Sequence, residues 1–477
     1  MTTNAATETT DQDPRATLAR IVGAAHVLAD AHDMAPFLVE ERGLWRGAAR
    51  CVVLPGSTAE VAGVMKQASA HGWRIVPQGG GTGLVGGQIP SPRGDEIVLS
   101  LKRMSRVREI DAPANAMTVE AGVTLLAAQQ AADGADRLFP LSLAAEGSAT
   151  IGGNLSTNAG GTAVIAYGNA RDLVLGLEVV LADGRVLNGL SKLRKDNTGY
   201  DLKHLFMGAE GTLGVITAAT LKLFPRPRAR ATAIVGLATP QAALDLLALA
   251  QERAGGDLKT FELMPRIGLE FVVRHAANAR DPFAAPHAWY VLIEIASQLD
   301  GALEESMESL RAAAMERDLV EDAAIAASLD QRAAFWRLRE NLSEVQKHEG
   351  GSIKHDVSVP VSRVPDFLAK ADAAVRAAIP GVRIVAFGHL GDGNIHYNLS
   401  QPVGADRRQF LALWTQANDI VHAIVADLHG SISAEHGIGV LKRDLLVRVK
   451  DPTALEIMRA LKATLDPLNI LNPGKVL

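Results

Sequence analysis

The stretch FGHLGDGNIHYN, residues 387–398, places His389 and His396 seven residues apart around a Gly-Asp-Gly turn. With RIVAFGH before the turn and NIHYNLS after it, a hairpin brings both imidazoles to one end of a sheet. Two imidazoles and one further nitrogen or carboxylate satisfy the needs of a catalytic divalent-metal site that keeps an open position. A histidine in a strand is also simply a hydrogen-bonded core or edge residue, so the pair alone leaves both readings open. SAEHGIGV offers a third group, since Glu435 and His436 stand side by side before a glycine. A turn boundary with two incidental polar side chains is its alternative.

A second chemistry is written in glycine. PQGGGTGLVGG carries six glycines in the nine residues from Gly79 to Gly87, and Gly81, Gly83 and Gly86 formally satisfy GxGxxG. A dinucleotide fingerprint of that kind needs a helix to open on the loop, and Pro90 and Pro92 argue against one. No Lys-Ser/Thr follows the glycines, so a P-loop fails as well. What remains is a loop able to turn its backbone N–H groups toward an anion. EGSATIGGNLSTNAGG, residues 146–161, interleaves further glycines with Ser148, Thr150, Asn154, Ser156, Thr157 and Asn158. Two such loops in one region point to a large cofactor with a pyrophosphate rather than to two surface turns.

These residues must be held by a scaffold of some size. A chain of 477 residues suggests two or three domains. The region up to about Pro227 reads as mixed α/β: a helix over 58–72, then the strands WRIVPQ, EIVLSL, AMTVEAG, LVLGLEVVLADGRVL with an Asp-Gly turn, and GTLGVITAATLKLFP. PRPRARA marks a boundary. Beyond it ATAIVGLA, PQAALDLLALAQERAGG, HAWYVLIEIAS and GALEESMESLRAAAMERD alternate strand and helix, which predicts an antiparallel sheet covered on one face. The closing LDPLNILNPGKVL reads as a loop-like tail docked on another domain.

Composition removes several functions. A net charge of -5, no sustained Lys/Arg cluster and 4% aromatics argue against nucleic acid as a partner. The single cysteine, Cys51, excludes an internal disulfide or a CxxC site and suits a reducing compartment. MTTNAATETTDQDP lacks the features of a signal peptide and reads as a disordered lead-in. With no apolar run of about 18 residues, the expected location is cytoplasmic, with peripheral membrane attachment left open.

PQGGGTGLVGG, GSATIGGNLSTNAGG and YDLKHLFMGAEGTLGVIT together resemble the FAD-binding domain of vanillyl-alcohol oxidase and p-cresol methylhydroxylase flavoproteins. FGHLGDGNIHYN, SAEHGIG and LDPLNILNPGKVL extend the resemblance to the FAD-linked D-2-hydroxyacid dehydrogenases, over nearly the whole chain from about Pro55. The implied fold is α+β: a two-part FAD-binding domain plus an α+β substrate domain with an antiparallel sheet. The expected divisions are 1–45 for a lead-in and helices, 46–227 for the FAD domain, 228–425 for the substrate domain, and 426–477 for a segment returning to the FAD domain. The resemblance implies that Gly79, Gly80, Gly81, Thr82, Gly83 and Leu84 wrap the FAD pyrophosphate. Gly147, Ser148, Thr150, Gly152, Gly153, Asn158, Gly161 and Ile216 would line the cofactor, and Asn472 would lie near the flavin. Some relatives tether FAD through a histidine in the first loop; this loop has Thr82 instead, so non-covalent FAD is expected.

The resemblance also assigns His389, His396 and Glu435 as ligands of a divalent metal, with zinc favoured by the ligand types, and His436 as catalytic base and substrate contact. Arg339, Ser343, Lys354 and Asn398 would complete the substrate pocket. Arg337 is only two residues from Arg339 and points elsewhere on a helix. A lysine at 354, two residues before Asp356, is typical of the group acting on 2-hydroxyglutarate. Ser343 and His355 depart from the threonine and tyrosine common there. The implied activity is oxidation of D-2-hydroxyglutarate to 2-oxoglutarate, with D-lactate or another D-2-hydroxy acid as the alternative. Electrons would leave to a separate acceptor such as electron-transfer flavoprotein, a cytochrome or a quinone, and a homodimer is compatible with the family. A flavin oxidase or lyase-synthase on the same scaffold would need no metal, and a non-enzymatic flavin-binding scaffold would not be reduced by any hydroxy acid.

Overall fold

The computed structural model describes residues 13–299 and 303–477. Residues 1–12 of the expected lead-in lie outside them. Three sheets carry the architecture. In the first, Cys51–Val53, Glu96–Ser100 and Arg74–Gln78 run parallel, and Val27–Leu28 pairs antiparallel at one edge. Helix Thr58–His71 links two of these strands. Its cap is Ser57, whose side chain accepts from Glu60 N at 3.2 Å, one residue earlier than the sequence suggested, and it ends on Gly72 at φ +68°. The second sheet orders Val107–Asp111, Ala116–Glu120, Val215–Lys222, Val174–Val180 and Val186–Gly189, all antiparallel.

The third sheet has eight antiparallel strands, with Ala229–Leu237, Trp289–Ser297, Leu258–Pro265, Arg383–His389 and Asn394–Ser400 at its centre. The period of two decides what each face carries. Ile384, Ala386, Ile395, Tyr397 and Leu399 enter the large core under helices Pro240–Ala254, Leu303–Glu316, Val364–Ala378 and Trp414–Asp427. Val385, Phe387, Met264 and Leu292 point the other way, beneath helices Arg266–His275 and Leu329–Glu340. Both faces are therefore covered, not one. Part of the second face is apolar and lies under these helices; the part that carries His389, His396 and Asn398 borders a cavity, with Glu262 buried beside it.

The C-terminal tail closes the first sheet. Ile75 N donates to Ile470 O at 2.8 Å and Asn472 N donates to Ile75 O at 2.8 Å, which adds the tail as a parallel edge. Asp466 makes this turn. Its carboxylate accepts from Ile470 N at 3.0 Å, Leu471 N at 2.8 Å and Lys462 Nζ at 2.5 Å while only 1% exposed. Asp466→Ala would leave two backbone amides without their acceptor and the Lys462 ammonium with carbonyls but no counter-charge, at a cost of about 3 kcal/mol. The expected outcome is a lower melting temperature together with loss of hydrogen-exchange protection at residues 470–472, read by mass spectrometry.

Candidate active site

The cavity measures about 2370 Å³ and lies between the glycine loops and the polar half of the eight-stranded sheet. Pockets for drug-sized ligands occupy roughly 300–1,000 Å³, so this one has room for a large cofactor and a substrate together. Its first wall is the loop after strand Arg74–Gln78. A Cβ on Gly79 would stand 2.4 Å from Thr150 Oγ1, and one on Gly80 2.0 Å from Ser148 O. The two glycine loops thus pack backbone to backbone, a closeness only glycine permits. The second loop is not irregular throughout, as its composition suggested: Ile151–Thr157 is a helix capped by Thr150. Packing overrides low propensity there, since a Cβ on Gly152 would meet Ala121 Cβ at 2.6 Å.

Residues 79–84, Gly147, Ser148, Thr150, Gly152, Gly153, Gly161 and Ile216 all line the cavity. Asn158 does not. It is the left-handed C-cap of the helix, φ +52°, and its Oδ1 accepts from Arg171 N at 2.9 Å. Asn472 stands behind the wall, with Nδ2 donating to Gly87 O at 3.0 Å and Glu210 O at 2.8 Å. Its Oδ1 is buried and lacks a hydrogen-bond partner among the described residues. Glu210, unremarked in the sequence, receives Ile438 N at 2.6 Å and Gly439 N at 2.9 Å, and burial pushes its carboxyl up. It ties the segment after Glu435-His436 to the region of the glycine loops.

The hairpin delivers the two histidines to one place. His389 Nε2 lies 3.8 Å from Glu435 Oε1, and His396 Nε2 lies 3.9 Å from Glu435 Oε2. The three donor atoms fall within 4.8 Å of one another, so the two imidazoles and the carboxylate form a group able to hold a divalent cation. Register supplies each imidazole with an acid across the sheet: Glu262 opposes His389, and Asp356 opposes His396. Glu262 accepts from His389 Nδ1 at 2.6 Å and from Arg339 Nε at 2.6 Å. Its burial would raise the carboxyl, but Arg339 and His389 outweigh this and hold it at about 2. His389 is disfavoured as a cation by burial, yet Glu262 lifts it to about 9. Burial keeps His396 well below its ordinary range and therefore neutral.

Asp356 is the second anchor. Oδ2 accepts the backbone N–H groups of both Glu435 and His436 at 2.9 Å, and Oδ1 accepts from Asn394 Nδ2 at 3.0 Å. Burial opposes its charge, and His436, Lys442 and His396 outweigh that to hold it well below the carboxylate range. Glu435 also accepts from Gly161 N at 2.5 Å, so the second glycine loop touches the cation cluster directly. The glycine loops and the cluster therefore share one wall.

Two cationic side chains face the same space. Arg339 is 8% exposed, its guanidinium 4.9 Å from the Phe387 ring centroid, whereas Arg337 is exposed. The Nε edge is committed to Glu262, and the other N–H groups are available to a carboxylate. Lys354 Nζ donates to Ser343 Oγ at 2.9 Å and Ser343 O at 3.1 Å. Burial, with Arg42 nearby, lowers its amine to about 8. Arg339, Ser343, Lys354, Asn398 and His436 all line the cavity. Glu262, Arg42 and Lys442 were not foreseen; a glutamate inside the apolar strand TFELMP was the available sign.

Family models agree with this construction. One described as FAD linked oxidases, C-terminal domain, matches residues 226–476. The chain belongs to the FAD-linked oxidase family. A model described as FAD binding domain matches residues 49–189. A protein named D-2-hydroxyglutarate dehydrogenase from Xanthomonas citri pv. viticola is 39% identical over 432 residues, which is 91% of this chain and 90% of the relative. The mitochondrial protein of that name from Bos taurus is 38% identical over 466 residues, 98% of this chain and 84% of the relative. A solved structure of p-cresol methylhydroxylase superposes with a TM-score of 0.75 at 17% identity, over 97% of this chain and 96% of the other. The expected α+β flavoprotein fold is thereby borne out, and the chain is an FAD-linked oxidoreductase.

Asp356→Ala should release the Glu435-His436 segment, since two charge-assisted hydrogen bonds at about 1.5–3 kcal/mol each are lost. The expected result is a protein that still binds FAD but takes up less added zinc than the unaltered protein, measured as the zinc-to-flavin ratio after incubation and gel filtration.

Proposed function

We propose that the protein oxidises D-2-hydroxyglutarate to 2-oxoglutarate, with non-covalent FAD as oxidant and a divalent cation, zinc by ligand type, at His389, His396 and Glu435. The observation that carries this reading is the convergence in one cavity of the cation cluster, the glycine loops and two cationic side chains suited to two carboxylates. The relatives of the same name support it. When bound, the flavin accepts the hydride and the cation lowers the pKa of the substrate hydroxyl.

The chain's own residues do the rest. Arg339, flattened against Phe387, is placed to hold the carboxylate beside the reacting carbon through two parallel hydrogen bonds. Lys354 and Ser343 form the far end of the pocket and take the distal carboxylate. His436 removes the hydroxyl proton. Its Nδ1 lies 3.6 Å from Asp356 Oδ2, and the same carboxylate holds its backbone N–H, which fixes where the ring stands. Asn398, 2% exposed on the strand beside His396, supplies a polar contact with a fixed position. Glu435 and Gly161 keep the cluster and the flavin loop adjoining. The second half-reaction passes electrons to a separate acceptor, because a chain with one cysteine carries no iron–sulfur ligand set of its own.

Anaerobic addition of D-2-hydroxyglutarate should bleach the flavin rapidly, prior chelation should abolish the bleaching, and restored zinc should return it. Bleaching that survives chelation would remove the cation from the reaction, and none with any 2-hydroxy acid would overturn the dehydrogenase reading.

Lys354→Met should raise KM for D-2-hydroxyglutarate about 10- to 100-fold, the equivalent of one charge-assisted hydrogen bond, and leave D-lactate little changed. The Lys354 amine is depressed from 10.5 to about 8. Its charge is present below that value and lost as pH rises through it, so kcat/KM for the dicarboxylate should fall above about pH 8. That limb should be missing in the variant and with D-lactate. A wild-type preference for D-lactate would take Lys354 out of substrate recognition.

A further inference from the structure

One side chain touches both halves of this site without lining it as a ligand. Glu262 is 0% exposed in the centre of the eight-stranded sheet and directly opposes His389 in the register. Oε1 takes His389 Nδ1 at 2.6 Å and Oε2 takes Arg339 Nε at 2.6 Å. An ionised carboxylate can only accept, so Nδ1 of His389 carries a proton and Nε2 is the nitrogen left facing Glu435, 3.8 Å away. On the other side, Glu262 and the Phe387 ring between them fix the plane of the Arg339 guanidinium.

The substrate explains why one residue should do both. In a 2-hydroxy acid the hydroxyl and the carboxylate sit on adjacent carbons, so the groups that receive them must keep a set separation. The two oxygens of one buried carboxylate are a rigid spacer of that kind. We propose that Glu262 is the positioning residue that joins the cation site to the substrate arginine, holding His389 and Arg339 in one frame so that both binding events depend on it. This inference rests on the function proposed above.

Chemistry distinguishes it from a buried counter-ion that only neutralises Arg339. Glutamine has the same shape but is neutral and presents one oxygen and one NH₂, so the charge that strengthens both hydrogen bonds is lost and one of the two donors is met by a donor. Aspartate keeps the charge but is one methylene shorter, so it reaches one partner only.

The test compares wild type, Glu262→Gln and Glu262→Asp as FAD-loaded full-length protein. Zinc affinity is measured by competition with a chromophoric chelator, and kcat and KM for D-2-hydroxyglutarate are measured at saturating zinc. The glutamine variant should bind zinc 10- to 100-fold more weakly and, once loaded, show a KM raised at least tenfold with a smaller change in kcat. The aspartate variant should recover one of these two quantities and not both. If glutamine at 262 prevents folding, the aspartate variant alone decides. Wild-type zinc affinity and KM together in either folded variant would overturn the proposal, as would a glutamine variant that loses zinc with KM unchanged. Failure of the wild type to bind zinc or to oxidise the acid would instead strike the proposed function.

Discussion

Two ionised carboxylates, Glu262 and Asp356, lie beneath the sheet with almost no access to water, and the site is built around keeping them charged. An unpaired carboxylate in such a place would cost several kcal/mol or take up a proton. Each escapes by collecting donors. Glu262 takes a histidine and an arginine, and Asp356 takes two backbone amides and the Asn394 side chain. Those donors are the side chains proposed for the chemistry or belong to the segments that carry them. Satisfying the buried acids and assembling the functional groups are thus one arrangement.

The arrangement requires all three sheets. The first sheet ends in the loop that opens the cofactor cleft, and its edge is completed by the tail. The second is contiguous with the helix Ile151–Thr157, past whose end Gly161 reaches Glu435. The third sheet supplies the two histidines and both anchors through its pleat. Its cavity-facing part is polar because helices cover only the other part, which leaves donors and acceptors where a ligand can reach them.

Much of this was legible in local signals. The hairpin 383–400, the helices Pro240–Ala254 and Leu303–Glu316, and the strands around the first glycine loop follow from periodicity, caps and turn residues. Pro90 and Pro92 correctly argued against a helix after the glycines. What was missed is non-local. Glu262 and His389 are 127 positions apart in sequence, and only the register of two strands makes them neighbours. Asn158 stands apart from its neighbours for a related reason: its left-handed cap turns the side chain to Arg171, while the residues around it line the cavity. The helix within the second glycine cluster forms against propensity because close packing on Ala121 demands small residues.

The returning tail has a consequence for the order in which the molecule is made. Asn472 holds Gly87 across 385 positions, and the parallel edge beside Arg74–Gln78 is provided by residues synthesised long after that strand. Ribosomal synthesis proceeds at about 5–20 residues per second, so the first sheet waits tens of seconds for its final strand. Until then the edge at Ile75 is unpaired, the kind of exposed template that recruits other chains. The loop that follows Gln78 is therefore framed only once residues 470–472 have been made, so the segments between them emerge while that edge is still open.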